Sequence, residues 1–369
     1  MSSDRPVVTL LTASDRPGAA ANNESRWLSA AIGEMGLRCD AVYLAGPAGT
    51  ERSGSVRRIH LGTDRARSSV RSLASYLRQE KPALTVAWPS HIGPFAVVAG
   101  ALAGAPVVPW EVTILSRDVG DGSDWPMSQR LVPLLQRLTY RLAPCVAANS
   151  ADVADEVSRR VRTRRIVTIP NSIDVEAVRA AAGSRQGRNG GFRFCAVGRL
   201  SAQKGYDIML DAFAAARERL PEDWELLILG NGPRRDELVE RSKALGLAER
   251  VSFLGHDENP YPHVASAQVF VHSARWEGFG IALTEALALE LPVVATACPG
   301  GPREILDDGR YGLLVPSEDP GALADALVRL SADAQLRMEL SGRALEGARR
   351  YSAETVARRM CELAEELAP

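Results

Sequence analysis

Two glutamates, Glu277 and Glu285, stand on either side of a glycine-aromatic-glycine turn in WEGFGIALTEALALELPVV. A helix starting after that turn offers backbone N–H groups to an anion, and the glycines let a ligand come close to the backbone. An anion site between two carboxylates suits a ligand with a diphosphate in its middle and hydroxyl-rich ends, such as a nucleotide-sugar. The rival reading is a glycosidase pair, whose carboxylates must lie roughly 5–9.5 Å apart across one bond. Eight helical residues rise about 12 Å, which fits one carboxylate on a sugar and the other on a ribose.

A second segment, VGRLSAQKG, follows a strand pattern and precedes the helical DIMLDAFAAARERL. It sets Arg199 and Lys204 five residues apart on one loop. Arg presents forked donors to phosphate oxygens and Lys a compact charge. Of the 44 basic residues only Lys81, Lys204 and Lys243 are lysines, which marks Lys204 just before Gly205 as more than a surface charge. LGNGPRRDEL adds Gly230 and Gly232 after another strand pattern, without the third glycine of a dinucleotide fingerprint. The first loop, TASDRPGAAANNE with its Gly18, lacks that fingerprint too, which argues against an NAD enzyme.

The elements that must hold these groups alternate throughout. Strand patterns at VVTLL, CDAVYL, LTVAW, VV, CVAA and IVTI are separated by amphipathic stretches near 24–35, 68–78, 93–103, 128–142 and 151–160. After PNSID (Pro170–Asp174) the polar AAAGSRQGRNGG reads as a linker. The alternation then restarts with FRFCAV, ELLIL, VSFL, VFVH, PVVAT and GLLV, and closes in helix from Asp319 to about Ala368. The expected class is α/β, with two Rossmann-like doubly wound parallel-sheet domains facing each other across a ligand-binding cleft.

Length and composition agree. The 369 residues suit two domains, and no apolar run reaches the roughly 18 residues that span a bilayer. The N-terminus has no signal-peptide pattern. Five scattered cysteines without metal spacing fit a reducing, cytoplasmic setting. A net charge of −1 gives no footprint for nucleic acid. The arginine-rich run Arg159–Arg165 reads as a solvated helix end, with peripheral contact to acidic lipid left open.

VGRL…KG, GNGP, FLG, NPY, EGFG…E and PGGPREIL occur in an order that resembles the retaining glycosyltransferases of family 4, which have the GT-B fold. The likeness is dense from Pro170 to about Leu330 and closest to the branch that uses UDP-sugars. It implies an acceptor-side domain over 1–170, a nucleotide-sugar domain over 171–350, and a last helix, about 351–369, packing back on the first. It also implies roles. Arg199 and Lys204 hold the diphosphate and offset its charge as it leaves. Glu277 binds the sugar hydroxyls. Gly278, Phe279, Gly280, Ile281 and Ala282 bring the backbone to sugar and phosphate, and Glu285 takes the ribose. Gly230 and Gly255 flank the base, and Gly18 stands where the family has a glycine pair. The family's histidine after its PVV strand is absent, since Trp110, Glu111 and Val112 stand there, so His91 is the nearest candidate. The resemblance implies transfer of a hexosyl or N-acetylhexosaminyl group from a UDP-sugar to a hydroxyl acceptor. No Asp-x-Asp motif sits in a plausible donor loop and two cations already occupy the metal's usual place, so no metal or other cofactor is expected. A UDP-sugar epimerase, a GDP-mannose-using transferase and a non-catalytic sugar-nucleotide-binding subunit remain open alternatives.

Overall fold

The computed structural model describes residues 7–14, 20–63, 66–120, 131–183 and 191–368. The chain divides into two compact units, Met1–Ser172 with Ser352–Pro369, and Ile173–Tyr351. Both are parallel-sheet α/β structures.

In the first unit the strands are β1 (Val8–Thr12), β2 (Cys39–Tyr43), β3 (Gly49–Ser53), β4 (Val56–His60), β5 (Leu84–Ala87), β6 (Val107–Glu111), β7 (Val146–Ala148) and β8 (Ile166–Thr168). Their order across the sheet is β3-β4-β2-β1-β5-β6-β7-β8. All neighbours pair in parallel except β3 and β4, an antiparallel hairpin at the edge. That hairpin escapes pattern reading because all five residues of β3 are exposed, leaving no apolar alternation to detect. The core joins Leu10, Val86, Trp88, Val108 and Trp110 to Val356, Met360 and Leu363 of the helix Ala353–Glu366. The last helix of the chain therefore belongs to the first unit.

The second unit has β9 (Arg193–Val197), β10 (Glu225–Leu229), β11 (Val251–Gly255), β12 (Val269–His272), β13 (Val293–Thr296) and β14 (Leu313–Val315), ordered β11-β10-β9-β12-β13-β14 and parallel throughout. Its sheet is buried on both faces. Phe194, Ala196, Val269 and Val271 enter one apolar cluster, while Cys195 and Phe270 enter the other. Continuous apolar runs such as VFVH are what a doubly covered parallel sheet requires.

Two expectations about connections need correction. The segment read as a linker from Ala180 begins in the helix Val175–Ala182, which Asp174 caps through Ala177 N–H and which buries Val175, Val178 and Ala182. Three alanines favour helix, and the pattern gave too much weight to the glycines that follow. The closing helical stretch is three helices, Pro320–Ala332, Ala334–Arg349 and Ala353–Glu366, with Asp333 and Ser352 capping the second and third. Among the described residues no helix is long and apolar enough to cross a membrane.

Candidate active site

In the second sheet β9 lies between β10 and β12, so the chain winds outward in both directions from the β9–β12 boundary. Ligands of open α/β sheets bind at the carboxyl ends of the strands at such a switch point. The loop after β9 carries Arg199 and Lys204. The loop after β12 carries Glu277 and runs into the helix Ile281–Ala288.

The two loops are fastened to each other through backbone. Gly205 has φ 61°, and a Cβ there would come within 2.1 Å of the Ser273 carbonyl oxygen. Only glycine permits that approach. Ser273 Oγ donates to the Lys204 carbonyl at 3.0 Å. Arg275 completes the brace. Its N–H donates to Gln203 O (2.7 Å), and its guanidinium donates to Ala202 O (2.9 Å) and to both carboxylate oxygens of Asp207 (2.9 and 2.8 Å). A third loop, Pro299–Gly301, runs beneath Glu277. Pro299 O accepts from Glu277 N–H at 2.9 Å, and Gly300, at φ 117°, passes so close that a Cβ would meet Glu277 O at 2.2 Å.

Held this way, the Glu277 carboxylate is 5 % exposed and sits between two nitrogen donors. Lys204 Nζ donates to its Oε1, and His272 Nε2 lies 2.8 Å from the same oxygen. Burial pushes this carboxyl up, but the Lys204 charge and the His272 hydrogen bond outweigh it and hold it at about 2. Glu277 is thus a fixed anion at neutral pH, and Lys204 a cation anchored at the sheet's mouth. Their substitution effects cannot be independent, because each is the other's partner.

Glu285 lies on the following helix, half-buried, and its Oε1 accepts from Tyr261 O–H at 2.9 Å. Burial raises its carboxyl to about 7. Gly280 precedes this helix at φ 109°, and no side chain caps the first amides. Gly278 and Gly280 are buried and Ile281 and Ala282 half-buried. The Phe279 ring packs edge-on against Tyr351, 5.0 Å between centroids, so its side chain serves the core and only its backbone serves the turn. Gly230 N–H donates to Gly255 O at 2.7 Å, and a Cβ at Gly230 would meet Gly198 O at 2.0 Å. The loops after β9, β10 and β11 are joined at this point, so Gly230 is demanded by packing between loops.

The remaining expected site residues lie elsewhere or are less constrained. Arg199 shares the Lys204 loop, with an exposed side chain. His91 belongs to the first unit, on the loop after β5, beside that sheet's own β1–β5 switch point; burial lowers its pKa. Gly18 lies outside the described residues. At the position of the family histidine, Trp110 is buried and donates to Ile169 O at 2.8 Å. Glu111 is buried as well and accepts from Tyr140 O–H and Gln136 Nε2–H. Among the described residues no cluster of three or more His, Cys, Asp or Glu could hold a metal ion.

A family signature described as "Glycosyl transferases group 1" matches residues 183–346, and one described as "Glycosyl transferase 4-like domain" matches residues 8–172. The chain belongs to the family 4 glycosyltransferases, with the GT-B fold. An N-acetylgalactosamine-N,N'-diacetylbacillosaminyl-diphospho-undecaprenol 4-alpha-N-acetylgalactosaminyltransferase of Campylobacter jejuni is 31% identical over 228 residues, 62% of this chain and 60% of that protein. A phosphatidyl-myo-inositol mannosyltransferase of Mycobacterium leprae is 36% identical over 206 residues, 55% of this chain and 54% of that protein. These curated relatives are thus matched over little more than half their length. The fold of Anabaena HepE, solved with UDP and glucose, superposes with a TM-score of 0.75 at 21% identity, covering 97% of this chain and 99% of the other.

Reading this glycosyltransferase's sequence misses His272, Arg275, Asp207 and Tyr261, which the fold gathers around the motif residues. His272 could have been suspected, since it ends a strand five residues before Glu277. Arg275 and Asp207 lie 68 residues apart, and nothing local pairs them.

Proposed function

We propose that this glycosyltransferase moves a hexosyl or N-acetylhexosaminyl group from a UDP-sugar to a hydroxyl acceptor, with retention and without a metal ion. The observation that carries the reading is the Lys204–Glu277–His272 cluster at the switch point, next to an uncapped helix start. The helix amides and Lys204 suit a diphosphate, which gains charge as the glycosidic bond breaks. Arg199, on the same loop, adds a second cation, so that protein charge takes the part a divalent ion would otherwise play. Glu277, held ionised, accepts from sugar hydroxyls, and Glu285 takes the ribose at the other end of the helix's first turns. In this scheme Lys204 and Arg199 act on the leaving group, and the departing phosphate oxygen receives the acceptor's proton on the same face of the sugar. HepE, a protein of like fold, was solved in complex with UDP and glucose, which supports the uridine reading.

Thermal-shift measurements with UDP, GDP and ADP test the donor. UDP should stabilise most, by RT ln(1 + [L]/Kd), and a larger effect of GDP would overturn the uridine assignment. Proton NMR of the product tests the stereochemistry: an α-linked donor must yield an α-linkage, and a β-linkage rules retention out. Activity that EDTA abolishes and Mg²⁺ restores would refute metal independence.

A further inference from the structure

The helix Val132–Thr139, with the turn Tyr140–Leu142 that follows it, is built inside out. Its buried face carries Val132 and two polar groups: Gln136 Nε2 and Tyr140 O–H both donate to the buried Glu111 Oε1. Its outward face carries Leu131, Leu134, Leu138 and Leu142, which are 58%, 54%, 50% and 55% exposed. Spacings of three, four and four put these leucines on one stripe. Leu102, 58% exposed at the end of the neighbouring helix Gly93–Ala103, adds a fifth. A single exposed leucine needs no explanation, but a continuous stripe marks a contact surface.

The charges around the stripe select its occupant. Arg137 and Arg141 are exposed beside the leucines, and exposed Arg164 lines a groove with Leu142, Ala101 and Pro144 at one end. No acidic residue occurs from Leu131 to Ala151. A protein partner or a second copy would need a matching apolar face and acid groups, and this stretch offers no acid for a self-complementary pairing. Leucines in a row beside Arg137 and Arg141, on a stretch without acids, fit a lipid surface, where the apolar side chains enter the acyl boundary and the guanidiniums meet phosphate. We propose that this face docks on an anionic phospholipid bilayer, holding the first unit at the membrane surface. The proposal is independent of the donor chosen above.

Co-sedimentation of the full chain with vesicles, in the absence of any nucleotide, tests it. Binding is expected to vesicles of phosphatidylglycerol with phosphatidylcholine, with little to phosphatidylcholine alone, and with weakening as salt rises. Leu134→Gln with Leu138→Gln should lower partitioning by about tenfold or more, since the leucines supply the apolar contact. Arg137→Gln with Arg141→Gln should weaken binding and flatten its salt dependence. Because these side chains point outward, the variants should keep the wild-type circular dichroism and UDP-induced thermal shift. Leu131→Gln with Leu142→Gln serves as an independent pair. Failure of the wild type to bind either vesicle, or unchanged binding by both leucine pairs, overturns the proposal. So does light scattering that shows a wild-type dimer and monomeric leucine variants, which would make the face an interface between copies.

Discussion

The two units bury charge in different ways. In the second, Glu277 is buried as a carboxylate and held at about 2 by Lys204 and His272. In the first, Glu24 is buried to 1 % exposure with no cation beside it among the described residues. It accepts from the Ser172 backbone N–H at 2.8 Å and the Asn171 side-chain amide at 2.6 Å, and Asn171 in turn accepts from Asn149 at 2.6 Å. Burial drives Glu24 up to about 8. Two glutamates of comparable burial therefore differ in charge at neutral pH, Glu277 ionised and Glu24 protonated. A cation at contact distance offsets desolvation, whereas amide donors offset only part of it. Glu277 is held as an anion at the mouth of the second sheet, and Glu24 clasps the PNSID segment where the first unit ends.

The largest effect should come from Lys204→Ala. It removes the cation proposed to act on the leaving group and strands Glu277 in the interior. A loss of about 10²–10³ in kcat is expected, the scale for one preorganised donor at a catalytic anion site. Stability should also fall, because a buried charge loses its partner. Lys204→Arg should not restore turnover, since a planar fork cannot replace an ammonium in the tight turn before Gly205. Retention of more than about a tenth of wild-type kcat would remove Lys204 from the mechanism.

Glu24→Ala should be next in size and purely structural. Two buried donors lose their acceptor, at a cost of about 1–3 kcal/mol each, while UDP affinity stays at the wild-type value. Its pH signature separates it from Glu277. With a folded pKa near 8 against an ordinary 4.5, Glu24 keeps its proton in the native state while the unfolded chain gives it up. Its contribution is fully present below pH 4.5 and is lost as pH rises through 8. Glu277 runs the other way, with stability present above 4.5 and lost as pH falls towards 2. Melting curves from pH 5 to 8 should therefore slope downward in the wild type and flatten in Glu24→Ala. An unchanged slope would show that Glu24 does not titrate in that window.

Glu285→Gln should have the smallest effect and refines the comparison within one unit. The wild-type carboxyl, raised to about 7 by burial, becomes a two-oxygen acceptor only above that pH. UDP affinity measured by calorimetry should rise from pH 6 to 8 in the wild type beyond the nucleotide's own titration, which the glutamine variant reports. Parallel profiles for the two proteins would take Glu285 off the ribose.

Much of the second unit is legible in its amino-acid sequence. Contiguous apolar runs set the strands of its sheet, and the motif residues stand on the loops that leave β9 and β12, so spacing along the chain carries most of the geometry. The first unit is legible as alternating strands and helices but not as a set of sites. The Glu24–Asn171 clasp spans 147 residues, and an acid in an amphipathic helix reads as surface. The leucine stripe misleads in the same way, since Leu131, Leu134 and Leu138 have the periodicity of a core face. The sequence by itself determined most of the strands and helices, the β3–β4 hairpin and the helix Val175–Ala182 excepted, because those depend on neighbours three or four residues away. Only the tertiary structure decided which side of the helix Val132–Thr139 is buried, which glutamate gains a cation, and which arginine braces the Lys204 loop. Those outcomes depend on groups distant in sequence, whose meeting only the packing of the sheets arranges.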